Sequence, residues 1–164
     1  MRFIEINEIA EWCREHRIPI TEAWRLEDDL TLRHVSRALH SPKGRSGKEG
    51  VVARSCAQTL TPWSECLLWV TEWGVWGSTE DWPQYYAVRG RLGEKRSLEK
   101  APGHLFESEE GELLEEFLTQ VLQNGWDAHL LPADAFTAGR RIYCSHDGWT
   151  ELRARESGQE LAAV

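Results

Sequence analysis

The sequence predicts one α+β domain, a mostly antiparallel sheet packed by three or four helices and ending in a C-terminal β-hairpin. Three observations carry that reading. Cys66-Leu67-Leu68-Trp69-Val70 is apolar without a break, as in a strand buried on both faces. Leu113, Leu114, Phe117, Leu118, Val121 and Leu122 recur at i, i+1, i+4, i+5, i+8 and i+9, the stripe of an amphipathic helix. Asp147-Gly148 separates two strand-like stretches and is a strong tight-turn dipeptide.

From the N-terminus, Asn7 is placed to cap a helix over Glu8 to His16, with Ile9, Trp12 and Cys13 on one face and Pro19 ending it. Thr21 is the next cap, before a short helix or turn over residues 22–26. Residues 28–40 read as a strand followed by a helix. Ser41 to Gly50, with three glycines, a proline and three basic residues, is the clearest loop and is expected to be flexible. Val51 to Leu60 reads as a strand. Thr61-Pro62 turns it into a central strand over Glu65 to Trp73.

Asp81-Trp82-Pro83-Gln84 has the layout of a helix start, and the helix runs to Leu92 and closes at Gly93. Gly93 to Gly103 reads as a charged surface connection. Ser108 caps the strongest helix, Glu109 to Asn124, whose early glutamates suit the helix dipole and whose stop is Asn124-Gly125. Trp126 to Leu131, Arg140 to His146 and Trp149 to Arg153 read as strands. The domain therefore spans residues 1–154, and 155–164 form a C-terminal tail.

Composition narrows the function classes. A chain of 164 residues can bury a core without metal or disulfide staples. No apolar run approaches the roughly 18 residues that cross a bilayer, and Glu5 and Glu8 interrupt any signal-peptide core. The expected location is the cytoplasm, with no membrane contact. Cys13, Cys56, Cys66 and Cys144 are then expected as free, buried thiols. The net charge of −8 repels phosphate backbones, which disfavours general nucleic-acid binding and favours a basic protein partner.

GRSGKEG superficially resembles a phosphate-binding loop, but only Arg45 and Ser46 separate Gly44 from Gly47. Ser145-His146-Asp147 holds the residue types of a hydrolase triad, yet neighbours on an extended chain point to opposite faces. Cys144 and His146 share a face, although no further pair completes a metal or thiol site. Glu65 and Glu72 are expected on opposite faces and roughly 23 Å apart, too far for paired-carboxylate catalysis. Arg89, Arg91, Lys95, Arg96 and Lys100, interleaved with glutamates, read as a solvated helix end. No catalytic residue, metal ligand set or cofactor is expected, and the balance leans against an enzyme.

What remains is a surplus of tryptophan, nine in all, and a run of glutamates. The sequence reading is a non-enzymatic protein-binding domain that docks a basic partner, for instance an immunity or accessory protein of a bacterial toxin or defence system. Trp73, Trp76 and Trp82 would anchor the partner, and Glu109, Glu112 and Glu116 would supply charge complementarity. The alternatives are a structural subunit of a larger assembly and an enzyme with a dispersed Cys/His site. The oligomeric state is left open.

Overall fold

Among the described residues seven strands make one sheet: β1 (Arg2–Ile4), β2 (Arg33–Leu39), β3 (Glu65–Glu72), β4 (Gly103–Glu107), β5 (Asp127–Pro132), β6 (Arg140–Ser145) and β7 (Trp149–Ala154). The computed structural model describes residues 1–21, 25–26, 33–39, 47–78 and 80–154, with β2 described by its backbone. The strand order is β1-β4-β3-β5-β6-β7-β2, and every neighbouring pair is antiparallel. Helices α1 (Ile6–Glu15), α2 (Glu49–Leu60), α3 (Trp82–Arg91), α4 (Gly111–Asn124) and α5 (Ala135–Ala138) complete the α+β fold.

β3 sits between β4 and β5, and Cys66 to Val70 are buried without interruption. Side-chain alternation then sorts the sheet into two faces. Cys66, Leu68 and Val70 join Phe106, Ala128, Leu130, Ile142, Cys144 and Leu152 beneath α2, α3 and α4 in the larger core. Leu67, Trp69, Leu105 and Leu131 face the other way and pack against Ile9, Trp12 and Cys13 of α1. Each fully buried aliphatic or aromatic side chain contributes about 1.5–3 kcal/mol through removal from water, before the entropy of ordering it.

The strongest sequence signals give the best-matched elements. The Asp81 carboxylate accepts the Gln84 N–H at 3.1 Å and starts α3. Gly125 ends α4 at φ 64°, a left-handed conformation that glycine adopts without a Cβ penalty. The hairpin of β6 and β7 turns through residues 146–148.

Elsewhere the structure corrects the reading. Val51 to Leu60 is helix rather than strand, because Val52, Ala53, Cys56, Ala57 and Leu60 fall on one helical face against the core. β1 and β4 are two short strands not anticipated from the sequence. The first helix begins at Ile6, and the Glu8 carboxylate accepts the Glu5 N–H at 2.8 Å, so the cap is Glu5 and not Asn7. A 3₁₀ turn over Ser108–Glu110 precedes α4, which moves the α-helical start past Ser108. Of residues 28–40, expected as a strand followed by a helix, the described 33–39 form one strand paired with β7, so no helix follows within them. The readings on residues 22–24, 27–32, 40–46 and 155–164 lie outside the described residues. All four cysteines are free and buried. Among the described residues, no helix is long and apolar enough to cross a membrane.

Arg89 departs furthest from the solvated helix end expected of its stretch. It is fully buried, donating to the carbonyls of Ala101, Arg96 and Ser97 and to the Tyr85 hydroxyl, with its guanidinium 4.6 Å from the Phe3 ring centre. This anchors residues 96–101 to the rest of the domain.

Candidate functional site

α1 covers only part of the second face of the sheet. Beside it, alternation along β5 and β6 presents Asp127, His129, Arg141 and Tyr143, while Ala128, Leu130, Ile142 and Cys144 point into the larger core. With Thr71, Glu72, Arg153, Arg25 and Leu26 these residues line a cavity of about 410 Å³, within the range of small-ligand pockets.

A β-bulge places Glu72 there. Val70 pairs with Ala128 but Glu72 pairs with Asp127, so β3 spends one extra residue against β5. Strict alternation would send Glu72 to the helix-covered face with Leu68 and Val70. The bulge turns it to the cavity instead. Glu65 also lies on that face, where its carboxylate accepts the Trp12 indole N–H at 3.0 Å. The expected opposite facing of Glu65 and Glu72 is therefore corrected. Their separation at the two ends of β3 still excludes shared chemistry.

At the mouth of the cavity Asp127 gathers three donors. Its Oδ1 accepts the His146 backbone N–H at 2.6 Å and the His146 Nδ1–H at 2.8 Å, and its Oδ2 accepts the Tyr143 hydroxyl at 2.8 Å. Burial opposes charge on His146. The hydrogen bond and charge of Asp127, with Asp147 and Glu72 behind, outweigh burial and raise its pKa. Burial, followed by the bond and charge of Asp127, pushes Tyr143 upward. His129 is held down at about 3 by burial and then by the guanidiniums of Arg141 and Arg153. Its Nδ1 is withdrawn from water and has no hydrogen-bond partner. Perturbed groups collected in one cavity mark a candidate functional site.

Ser145-His146-Asp147 forms no triad: Ser145 Oγ accepts the Asp147 N–H at 3.2 Å, and His146 is oriented by Asp127 from another strand. Cys144 and His146 do not meet either. Cys144 lies in the core beneath α2, and burial raises its pKa well above the usual thiol value.

The six partner-binding candidates divide between two ends of the molecule. Trp76 donates its indole N–H to the His146 carbonyl at 2.9 Å, which fastens the loop after β3 to the turn after β6. Trp73 borders a hollow of about 360 Å³ that shares Arg25 and Thr71 with the main cavity. Trp82 packs into the core, with its ring centre 4.9 Å from that of Trp126 and stacked at 23° on Tyr86. Glu109 and Glu112 are exposed near the start of α4, whereas the Asp81 N–H bonds Asn124 near its end. At 1.5 Å per residue the helix separates these groups by about 20 Å. Glu116, partway along, is ion-paired with Arg91.

No known family model, curated protein or solved structure matches this chain. No motif in the sequence marks Asp127 or Tyr143, and Glu72 stands out there only as a carboxylate paired with Glu65. The available signal was the alternation of polar Asp127 and His129 with apolar Ala128 and Leu130, which marks a half-open sheet face.

Proposed function

We propose that this is a non-enzymatic binding domain that docks a protein with a basic surface, in the manner of an immunity or accessory protein of a bacterial toxin or defence system. The docking surface is the end of the sheet where the loop after β3 meets the turn after β6. The observation that carries this reading is the Trp76–His146 bond, which holds an aromatic loop against an acidic rim. Val75 is 40% exposed, Trp73 and Trp76 are half-buried, and Glu72 and Asp147 are exposed beside them. Half-buried tryptophans cost little ordering entropy on binding, and surrounding acids set register and association rate. The net charge of −8 adds long-range attraction for a basic protein.

The test is co-expression with the basic products of neighbouring genes, using the unaltered chain, a V75D D147R variant and an E109R E112R variant. The proposal expects a complex with the unaltered chain, at least about tenfold weaker binding by V75D D147R, and little change for E109R E112R. A complex that V75D D147R leaves intact, or no complex at all, overturns it.

A second reading, an enzyme acting through His146, is favoured by one feature. Asp127 fixes the Nδ1–H tautomer and leaves Nε2, 3.6 Å from Asp147 Oδ1, as the nitrogen with a lone pair, the orientation a general base needs. Loss of a measured turnover on His146→Gln would separate this reading from binding alone.

A further inference from the structure

We infer that Glu72, Asp127 and His146 form a binding site for a divalent transition-metal ion, a role separate from partner docking. One ligand atom from each residue lies within 4.8 Å of the other two. Asp127 Oδ1 and His146 Nδ1, 2.8 Å apart across a hydrogen bond, would both face the ion once it displaces the Nδ1 proton and parts the two atoms slightly. Glu72 is exposed, and its carboxylate supplies the third ligand atom of the group.

Three further observations support the assignment. The first is charge. Glu72 and Asp127 are direct cross-strand partners on one face, so two carboxylates meet beside His146 at one side of a cavity that Arg25, Arg141 and Arg153 also line. The second is support behind the ligands: Tyr143 holds Asp127 Oδ2, and Trp76 holds the His146 carbonyl. Metal sites depend on such outer partners to orient the ligating groups. The third lies inside the cavity. The site opens onto the space of about 410 Å³, where the Nδ1 of His129 has no hydrogen-bond partner, so room and a polar group await whatever completes the ion's coordination.

The donor set also selects the ion. Two carboxylates with an imidazole nitrogen suit zinc, manganese, cobalt or nickel, whereas magnesium and calcium prefer oxygen alone. A partner's guanidinium in the same place would face His146, itself a donor or a cation, across the two acids. The four thiols, all buried, offer no competing open site.

The full-length protein, stripped with chelator and dialysed against zinc, should retain one ion per chain by elemental analysis. Loaded with cobalt, it should give a visible ligand-field spectrum. Glu72→Gln alters an exposed side chain and keeps its size; with His146→Gln added, retention should fall at least about tenfold while the far-ultraviolet spectrum stays native. Zinc should raise the thermal midpoint of the unaltered chain and not that of the double variant. Equal retention by both proteins, or no retention by the unaltered chain, overturns the inference. With the co-expressed complex purified and scored in chelator, failure of the ion site and failure of the docking proposal are distinguishable.

Discussion

Arg89 Nη1 lies 3.4 Å from His104 Nε2, and both side chains are fully buried. Two cations cannot share that space, so the arginine keeps the histidine neutral. The relay is complete on both sides: Arg89 donates to the Tyr85 hydroxyl at 2.6 Å, the hydroxyl meets His104 Nε2 at 2.8 Å, and His104 Nδ1–H reaches the Leu68 carbonyl at 3.2 Å. Burial first, and the Arg89 charge second, holds the His104 pKa at about 3.

Acid should therefore weaken the fold early. The unfolded chain protonates this histidine near pH 6.5, as a free imidazole does, and the folded chain not until about 3. Below about 6.5 the unfolded state binds more protons, so stability is lost as pH falls through that window. The loss approaches about 1.4 kcal/mol per pH unit for this one group. Urea midpoints measured from about pH 7 to about pH 4 should fall, and His104→Gln should flatten the slope. An unchanged slope in that variant would assign the effect elsewhere, with His129 the next to test.

Removing Arg89 should cost more than removing a surface arginine. Arg89→Ala leaves the Ala101 and Arg96 carbonyls and the Tyr85 hydroxyl without their donor and opens a cavity beside Phe3. The expected loss is about 3 kcal/mol or more, read by chemical denaturation. Arg89→Lys should recover only part of it, because an ammonium lacks the planar fork. A loss under about 0.5 kcal/mol would contradict this account.

The thiols should be silent in the native state. Burial pushes Cys13 and Cys56 up to about 12 and raises Cys66 and Cys144 as well. A disulfide reagent at about pH 8 needs an accessible thiolate. It should titrate none of the four cysteines before denaturation and all four afterwards. Fast reaction of one thiol in the native protein would show that its element opens.

Gly103 is expected to tolerate no side chain. A Cβ there would come within 2.6 Å of Ile4 Cγ1 and 2.9 Å of Ile9 Cδ1, and both isoleucines are buried. Gly103→Ala should destabilise the domain by about 1–3 kcal/mol, the usual cost of overpacking. Ile4→Val made alongside should return part of that loss in the same denaturation assay.

The legibility of each element follows from how local its cause is. α4 declares itself through six apolar residues at helical spacing, and α3 through the Asp81 cap, because both signals lie within one or two turns of chain. α2 was concealed by Val51-Val52, a β-branched pair whose strand tendency outweighed the helical spacing of Val52, Cys56 and Leu60. β1 and β4 are short and owe their existence to pairing with each other and with β3, which no local pattern encodes. The site was least legible. Trp76 could be singled out by residue type. Glu72 and Asp127 meet only through a bulged register, and His146 reaches them from a turn on another strand. Arg89 resembled its exposed neighbours because charge alone does not say which arginine of a helix turns inward.

The unequal coverage of the sheet's second face has a consequence for how this protein can change over time. The half beneath α1 is closed by Ile9, Trp12, Leu67 and Leu131, and with the core under α2 and α4 it secures the fold. The other half, from Asp127 across to Arg153, holds mainly polar groups bordering a cavity and contributes little apolar burial. Substitutions there can reshape the cavity's lining without dismantling the scaffold.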